Sequence, residues 1–304
     1  IEYGDMQLIS EAYDVLKTLG GLTNPELQKV FEEWNNSELK SYLIAISALI
    51  FAKSDDEKAG QFTVDSILDK TGMKGTGKWT VQQAAEVSVA CPTIACSLDQ
   101  RFLSGLKDER VAASGVYDAL RAGDSVVAPK LSDEEKKQLI SDVKQALYAS
   151  KICSYAQGMN LIRAKSEAMG WGLDLGEIAR IWKGGCIIRA IFLDRIKKAY
   201  DKDAKISSLL VDADFAKEIV DREASWRRVV SLGISAGLGT PGMSVSLSYF
   251  DTYRRARLPA NLVQAQRDFF GSHTYERTDM EGNFHTIWSD MQSADSATTT
   301  GYNN

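Results

Sequence analysis

Ser132-Asp133-Glu134-Glu135-Lys136-Lys137-Gln138-Leu139-Ile140 opens the stretch whose reading decides the fold. Ser132 stands three residues before Glu135, the spacing at which a hydroxyl caps a first helical turn and a carboxylate returns the bond. Beyond it Leu139, Ile140, Val143, Leu147, Ile152, Tyr155, Met159 and Ile162 recur at helical intervals. The spacing predicts one long helix over 132–169, broken by the glycines of 170–176. Apolar residues cover more than one narrow stripe, so burial is expected on more than one side, with a surplus face left for a dimer.

Working outward, the same period continues. Residues 177–200 read as the next helix, and Gly184-Gly185 in its middle suggests a close contact with another helix. Residues 215–232, 244–257 and 261–270 are helical; 272–288 lose the period and read as extended or hairpin. The final run, 289–304, is polar, rich in Ser and Thr, and expected either to hang in solvent or to lie on a partner. Upstream, Met6, Ile9, Tyr13 and Leu16 set a helix over 1–17, ended by Gly20-Gly21. Thr23-Asn24-Pro25 starts another, with a cap followed by a first-turn proline. Helices follow at 38–53, 79–89, 93–106 and 108–121, with a loop at 123–129. The expected fold is all-α: a large helical domain, 1–271, around two long helices, and an extended tail, 272–304. Gly21-Leu22, Glu26-Leu27 and Val30-Phe31 echo Gly172-Leu173, Glu177-Ile178 and Ile181-Trp182 at one offset, which suggests an internal duplication.

Three glycine-bearing stretches bear on function. Lys74-Gly75-Thr76-Gly77-Lys78-Trp79-Thr80 joins two glycines, two lysines and two threonines just ahead of a helix. A helix start aims free N–H groups and a positive dipole end at such a loop, which suits a phosphate; a charged turn with a cap is the plainer alternative. Gly72 to Trp79 falls short of a P-loop, because its last place holds Trp79 and no hydroxyl for magnesium. Gly237-Leu238-Gly239-Thr240-Pro241-Gly242 spells G-x-G-x-x-G, but no strand precedes it and Pro241 interrupts the helix a dinucleotide loop must open. It reads as a helix stop and turn.

Composition narrows the classes. Apolar content of 44% and charged content of 25% suit an ordinary globule, and a net charge of -5 gives no support to nucleic-acid binding. No apolar run is long enough for a membrane span. Four cysteines without a C-x-x-C read as reduced, buried thiols. Two histidines exclude a histidine-rich metal centre, and no metal is expected. The chain begins at Ile1, inside a helical pattern, so an N-terminal part is expected ahead of it. A cytoplasmic location is expected, with a plastid or other organelle left open. Glu2 lies on the inward stripe with Met6; desolvation there would raise its pKa and suit a general acid, while a first-turn glutamate favoured by the dipole is the alternative. Arg101, beside Leu98 and Phe102, fits a snorkelling surface group.

Six blocks carry a resemblance: Ile1-Glu2-Tyr3-Gly4-Asp5-Met6-Gln7, Lys74 to Thr80, Leu106-Lys107-Asp108-Glu109-Arg110, Tyr148-Ala149-Ser150-Lys151-Ile152, Gly184-Gly185-Cys186-Ile187-Ile188-Arg189, and Gln264-Ala265-Gln266-Arg267-Asp268-Phe269-Phe270-Gly271. Together the chain resembles, end to end, the C-terminal helical domain of decarboxylating 6-phosphogluconate dehydrogenases, homodimers whose N-terminal Rossmann domain binds NADP. The resemblance implies the pentose-phosphate reaction: NADP takes a hydride from C3 of 6-phosphogluconate, the β-keto acid loses CO2, and the enediol is protonated to ribulose 5-phosphate. It makes Glu2 the general acid for that protonation. Tyr3, Lys74, Thr76 and Arg101 become substrate ligands, joined by Arg267 and His273 from the partner subunit. A phosphate monoester takes about two cations and several donors, which this set supplies. Lys78 is not favoured over Lys74, and His285 is read as structural. The family's lysine base and the histidine and asparagine near it fall upstream of Ile1, so the chain alone is expected not to transfer hydride. Two alternatives stand beside this reading: a non-catalytic phosphosugar-binding or dimerisation module, and a hydroxyacid dehydrogenase without decarboxylation.

Overall fold

The computed structural model describes residues 1–120 and 131–288 of the chain. Their contacts divide into two compact units, 1–250 and, among the described residues, 251–288. The loop expected at 123–129 and the last part of the expected tail, 289–304, lie outside the described residues.

The first unit begins with α1 (Glu2–Asp14), which runs on into a wider π-helical turn, Val15–Leu19. Gly21, at φ 66°, turns the chain toward α2 (Asn24–Asn35), where the Thr23 amide donates to the Glu26 carboxylate at 2.7 Å. α3 (Tyr42–Ala52) starts four residues later than its apolar pattern suggests, because Ser41 takes the cap position and accepts from the Ile44 amide. Then come α4 (Thr63–Ser66), α5 (Thr76–Glu86), α6 (Pro92–Gly105) and α7 (Lys107–Leu120).

α8 (Asp133–Met169) is the long helix of the opening stretch, and Ser132 and Glu135 form the expected capping box. Every residue from Ala146 to Met159 is buried, so the helix is covered on all sides there. α9 (Leu175–Ile181) and α10 (Phe192–Lys202) replace the single helix expected over 177–200. Gly184 and Gly185 do not mediate a helix contact: no atom lies near the Cβ either would carry, and Gly185 takes φ 63°. The glycines release the backbone instead. The freed segment pairs with the run before α3, the Ile191 amide donating to the Lys40 carbonyl and the Tyr42 amide to that of Arg189.

A 3-10 turn, Leu209–Val211, leads to α11 (Ala213–Ala236), the second long helix, which packs along α8. Between them Phe192 meets the rings of Tyr148, Tyr155 and Phe215 at centroid distances of 5.1 to 5.6 Å. Full burial of such a ring contributes about 1.5–3 kcal/mol. Gly237, left-handed at φ 70°, stops α11, and Pro241 opens α12 (Pro241–Tyr253). The G-x-G-x-x-G letters are therefore a helix stop and restart, as their context implied.

The second unit carries α13 (Ala260–Gly271) and a ribbon of β1 (Tyr275–Glu276) and β2 (Asn283–Phe284), antiparallel with Tyr275 opposite Phe284. α13 thus groups with the hairpin that follows it.

Candidate functional site

Small residues let α1 lie close on α8. A Cβ on Gly4 would stand 2.2 Å from the Ser154 hydroxyl, and one on Gly158 would stand 2.3 Å from the Ile1 side chain. Beside this crossing, Lys151 donates to Asp5 at 2.8 Å, both side chains almost wholly buried. The start of α1, with Glu2 and Tyr3, is thereby fixed on the core.

Against it lies α5. The helix begins at Thr76, three residues before its apolar period, with Gly75 as cap at φ 110°. A left-handed φ of that size is open to glycine and not to other residues. The loop expected at 74–80 is therefore half loop and half first turn. The amides of Thr76, Gly77 and Lys78 have no intrahelical acceptor and face outward from the helix start. Gly77 is buried under Tyr3; a Cβ there would fall 2.3 Å from the ring.

Arg101, on α6, is not a snorkelling surface group. Its guanidinium lies over the Tyr3 ring at 3.5 Å and donates to the Gly72 carbonyl at 3.0 Å. Lys74 is two residues beyond that carbonyl, within about 8 Å of chain. Tyr3 and Arg101 are thus in contact beside the start of α5 at Thr76, with Glu2 a residue away; Lys74 is carried on the loop between Gly72 and Thr76 and lines neither of the two clefts that meet at Tyr3. Lys74 and Thr76 are exposed, Tyr3 is buried and Glu2 is half-buried.

The segment ahead of the loop is tied to the same helices. Asp69 pairs with Lys107 at 2.5 Å and Arg110 at 3.0 Å, and the Thr71 amide donates to Ser104 at 2.9 Å. Hydrogen bonds from Lys107 and then Arg110 lower the Asp69 carboxyl to about 2. Two clefts meet at Tyr3. One, of about 750 Å³, takes in Glu2, Thr76, Trp79, Trp171 and Trp182; the other, of about 420 Å³, takes in Arg101, Arg110 and Thr71. Cys186 and Ile188, from the segment the paired glycines release, also line the larger one.

In the second unit Arg267 is exposed on α13 and donates to Gln264 at 2.9 Å. His273 is exposed just after the helix, between two left-handed residues, Ser272 at φ 51° and Thr274 at φ 62°. A residue held so costs on the order of 1–3 kcal/mol. His285 binds the Asp268 carboxylate at 2.8 Å, in keeping with a structural histidine. Burial alone would raise the Asp268 carboxyl, but His285, Thr286, Trp288 and Thr274 outweigh it and hold it well below the ordinary range. Sequence reasoning passed over Asp268, Asp69, Arg110 and Gly77. Asp268, Arg110 and Gly77 lie inside blocks that carry the resemblance and Asp69 lies five residues ahead of one, but nothing in their spacing shows what they touch.

The turn from Gly237 to Gly242 is not a dinucleotide cradle: it stops α11, and α12 starts at Pro241. The helix start at Gly242 is already occupied: the Glu11 carboxyl, which burial pushes up to about 7, accepts the Gly242 and Met243 amides at 2.6 and 2.8 Å. The described residues contain no cluster fit for a metal ion.

The fold is all-α, with Tyr3, Arg101 and the start of α5 meeting at one corner. Residues 1–288 match the family described as 6-phosphogluconate dehydrogenase, C-terminal domain, and the chain belongs to that family. It is 68% identical over 288 residues to the Arabidopsis thaliana protein "6-phosphogluconate dehydrogenase, decarboxylating 2", covering 95% of this chain and 58% of that one. To the Spinacia oleracea protein "6-phosphogluconate dehydrogenase, decarboxylating 2, chloroplastic" it is 67% identical, covering 96% of this chain and 54% of that one. A solved Plasmodium falciparum 6-phosphogluconate dehydrogenase, described in its apo form and in complexes with NADP+ and with 6-phosphogluconate, superposes with a TM-score of 0.89 at 47% identity. It covers 94% of this chain and 60% of that one. The chain therefore spans little more than half the length of these relatives.

Proposed function

We propose that this chain is the substrate-binding and dimer-forming part of an NADP-dependent enzyme that oxidises and decarboxylates 6-phosphogluconate to ribulose 5-phosphate. The observation that carries the reading is Arg101, which ties the Tyr3 ring to the Gly72 carbonyl and so places the Lys74 loop beside the start of α1. Lys74, Thr76, Arg101 and Tyr3 hold the phosphate ester, with the free amides at the start of α5 adding donors. Glu2, at the rim of the larger cleft, delivers a proton to the enediol carbon. Arg267 and His273 complete the site from the partner subunit of a homodimer, residues 1–271 forming the helical domain and the tail lying on the partner. NADP accepts the hydride, held mainly by the N-terminal coenzyme domain of the family rather than by this domain. The location is cytoplasmic, or plastid, as the name of the spinach relative has it.

The test joins this chain behind a coenzyme-binding segment of the family and follows NADPH formation with 6-phosphogluconate. Activity is expected, and Arg101→Met is expected to raise KM for 6-phosphogluconate by about tenfold or more, the loss of a charged hydrogen-bonding partner. A well-folded joined protein whose KM ignores Arg101→Met and Lys74→Ala would overturn the reading.

A further inference from the structure

One carboxylate organises the second unit. Asp268 is wholly buried in α13. Its Oδ1 accepts the Thr274 amide at 3.0 Å and His285 Nδ1 at 2.8 Å; its Oδ2 accepts the Thr286 amide at 3.0 Å and the Trp288 indole at 2.8 Å. With the carboxylate ionised, both oxygens are filled and His285 Nδ1 is the donor. Two of these donors are main-chain groups, so the bonds set the course of the backbone and not merely the pose of a side chain.

That course matters at His273. Its neighbour Thr274 is β-branched and left-handed, a conformation such residues rarely adopt unaided. The Thr274 amide is held by Asp268, and its carbonyl accepts from Gln264 Nε2 at 2.6 Å. Gln264 Oε1 in turn accepts Arg267 Nη1 at 2.9 Å. One amide side chain therefore spans from Arg267 to the residue after His273. Gly271 leaves the imidazole its space: a Cβ there would lie 2.6 Å from His273 Nε2.

We propose that Asp268 and Gln264 are positioning residues that present Arg267 and His273 as one rigid pair to the phosphate ester. This rests on the role proposed above for that pair. Neither positioning residue touches substrate. Asp268 holds the left-handed turn in shape, and Gln264 gauges the separation of the two ligands.

The experiment uses the joined enzyme with three variants: Asp268→Asn, Gln264→Met and, as a control, Arg267→Ala. Asp268→Asn sets an amide N–H2 against donors, and Gln264→Met keeps length while losing both bonds. Both are expected to raise KM for 6-phosphogluconate by about tenfold, with kcat and KM for NADP changed far less. A residue that only held the ribbon together would lower the melting temperature and leave that split unmoved. Gln264 is half-buried on the surface of α13, so its variant stays informative if Asp268→Asn folds poorly. If Arg267→Ala raises KM while Gln264→Met leaves it at the parent value, the positioning role is overturned and the site reading stands. If Arg267→Ala itself leaves KM unmoved, the site reading fails and the inference with it.

Discussion

Gly77 sits where the Tyr3 ring leaves no room for a side chain, and it is also the second residue of α5. Two demands meet there, a helix start and an aromatic face. Tyr3 cannot retreat, because Arg101 covers the ring at 3.5 Å. Gly77→Ala is therefore expected to destabilise the chain by about 1–3 kcal/mol, the cost of forcing extra volume into a packed place. Urea unfolding followed by circular dichroism measures it. An unchanged midpoint would mean that the ring does not lie on α5.

At the scale of the element, the crossing of α1 on α8 carries the site. Small residues bring the helices together, and the buried pair of Lys151 with Asp5 locks their register. One carboxylate oxygen of Asp5 has no hydrogen-bond partner, so the pair has little reserve. Removing only the cation leaves a buried, uncompensated charge. Lys151→Met is expected to cost about 3–5 kcal/mol in unfolding free energy, and adding Asp5→Asn to recover much of it. A loss in the double variant equal to the sum of the two single losses would show that the two side chains do not act as a pair. The repeat seen in sequence belongs to this scale as well. Gly21 and Gly172 take nearly the same φ, 66° and 63°, each before a short helix that packs on its successor, α2 on α3 and α9 on α10.

For the whole molecule, the exposed apolar surface needs a partner. α7 has no buried residue, and Val116 and Leu120, one turn apart, are exposed at 57% and 76%. The homodimer proposed above would cover such a face. Sedimentation equilibrium of the chain is expected to give a dimer, and Val116→Asp with Leu120→Asp to give a monomer with the same helical content. A dimer that survives both changes would place the contact elsewhere. Among the described residues no helix is long and apolar enough to cross a membrane, so that apolar face does not mark a span.

Local signals were enough for most of the elements, though not for the break between α9 and α10. Periodicity and caps gave the helices around Ser132, Thr23 and Gly237, because a helix is built from contacts a few residues apart. Quoted blocks pointed to Glu2, Tyr3, Lys74, Thr76, Arg101, Arg267 and His273 through likeness to a family. The break at Gly184-Gly185 was misread, since a glycine pair in an apolar run serves close packing or chain release equally well, and only the pairing with the run before α3 selects release. Tertiary structure alone decided that Arg101 turns inward to Tyr3, that Gly77 yields its volume to that ring, and that Asp268 gathers four donors. Each depends on groups brought together from different elements, and no pattern along the chain records which side chains will share one space.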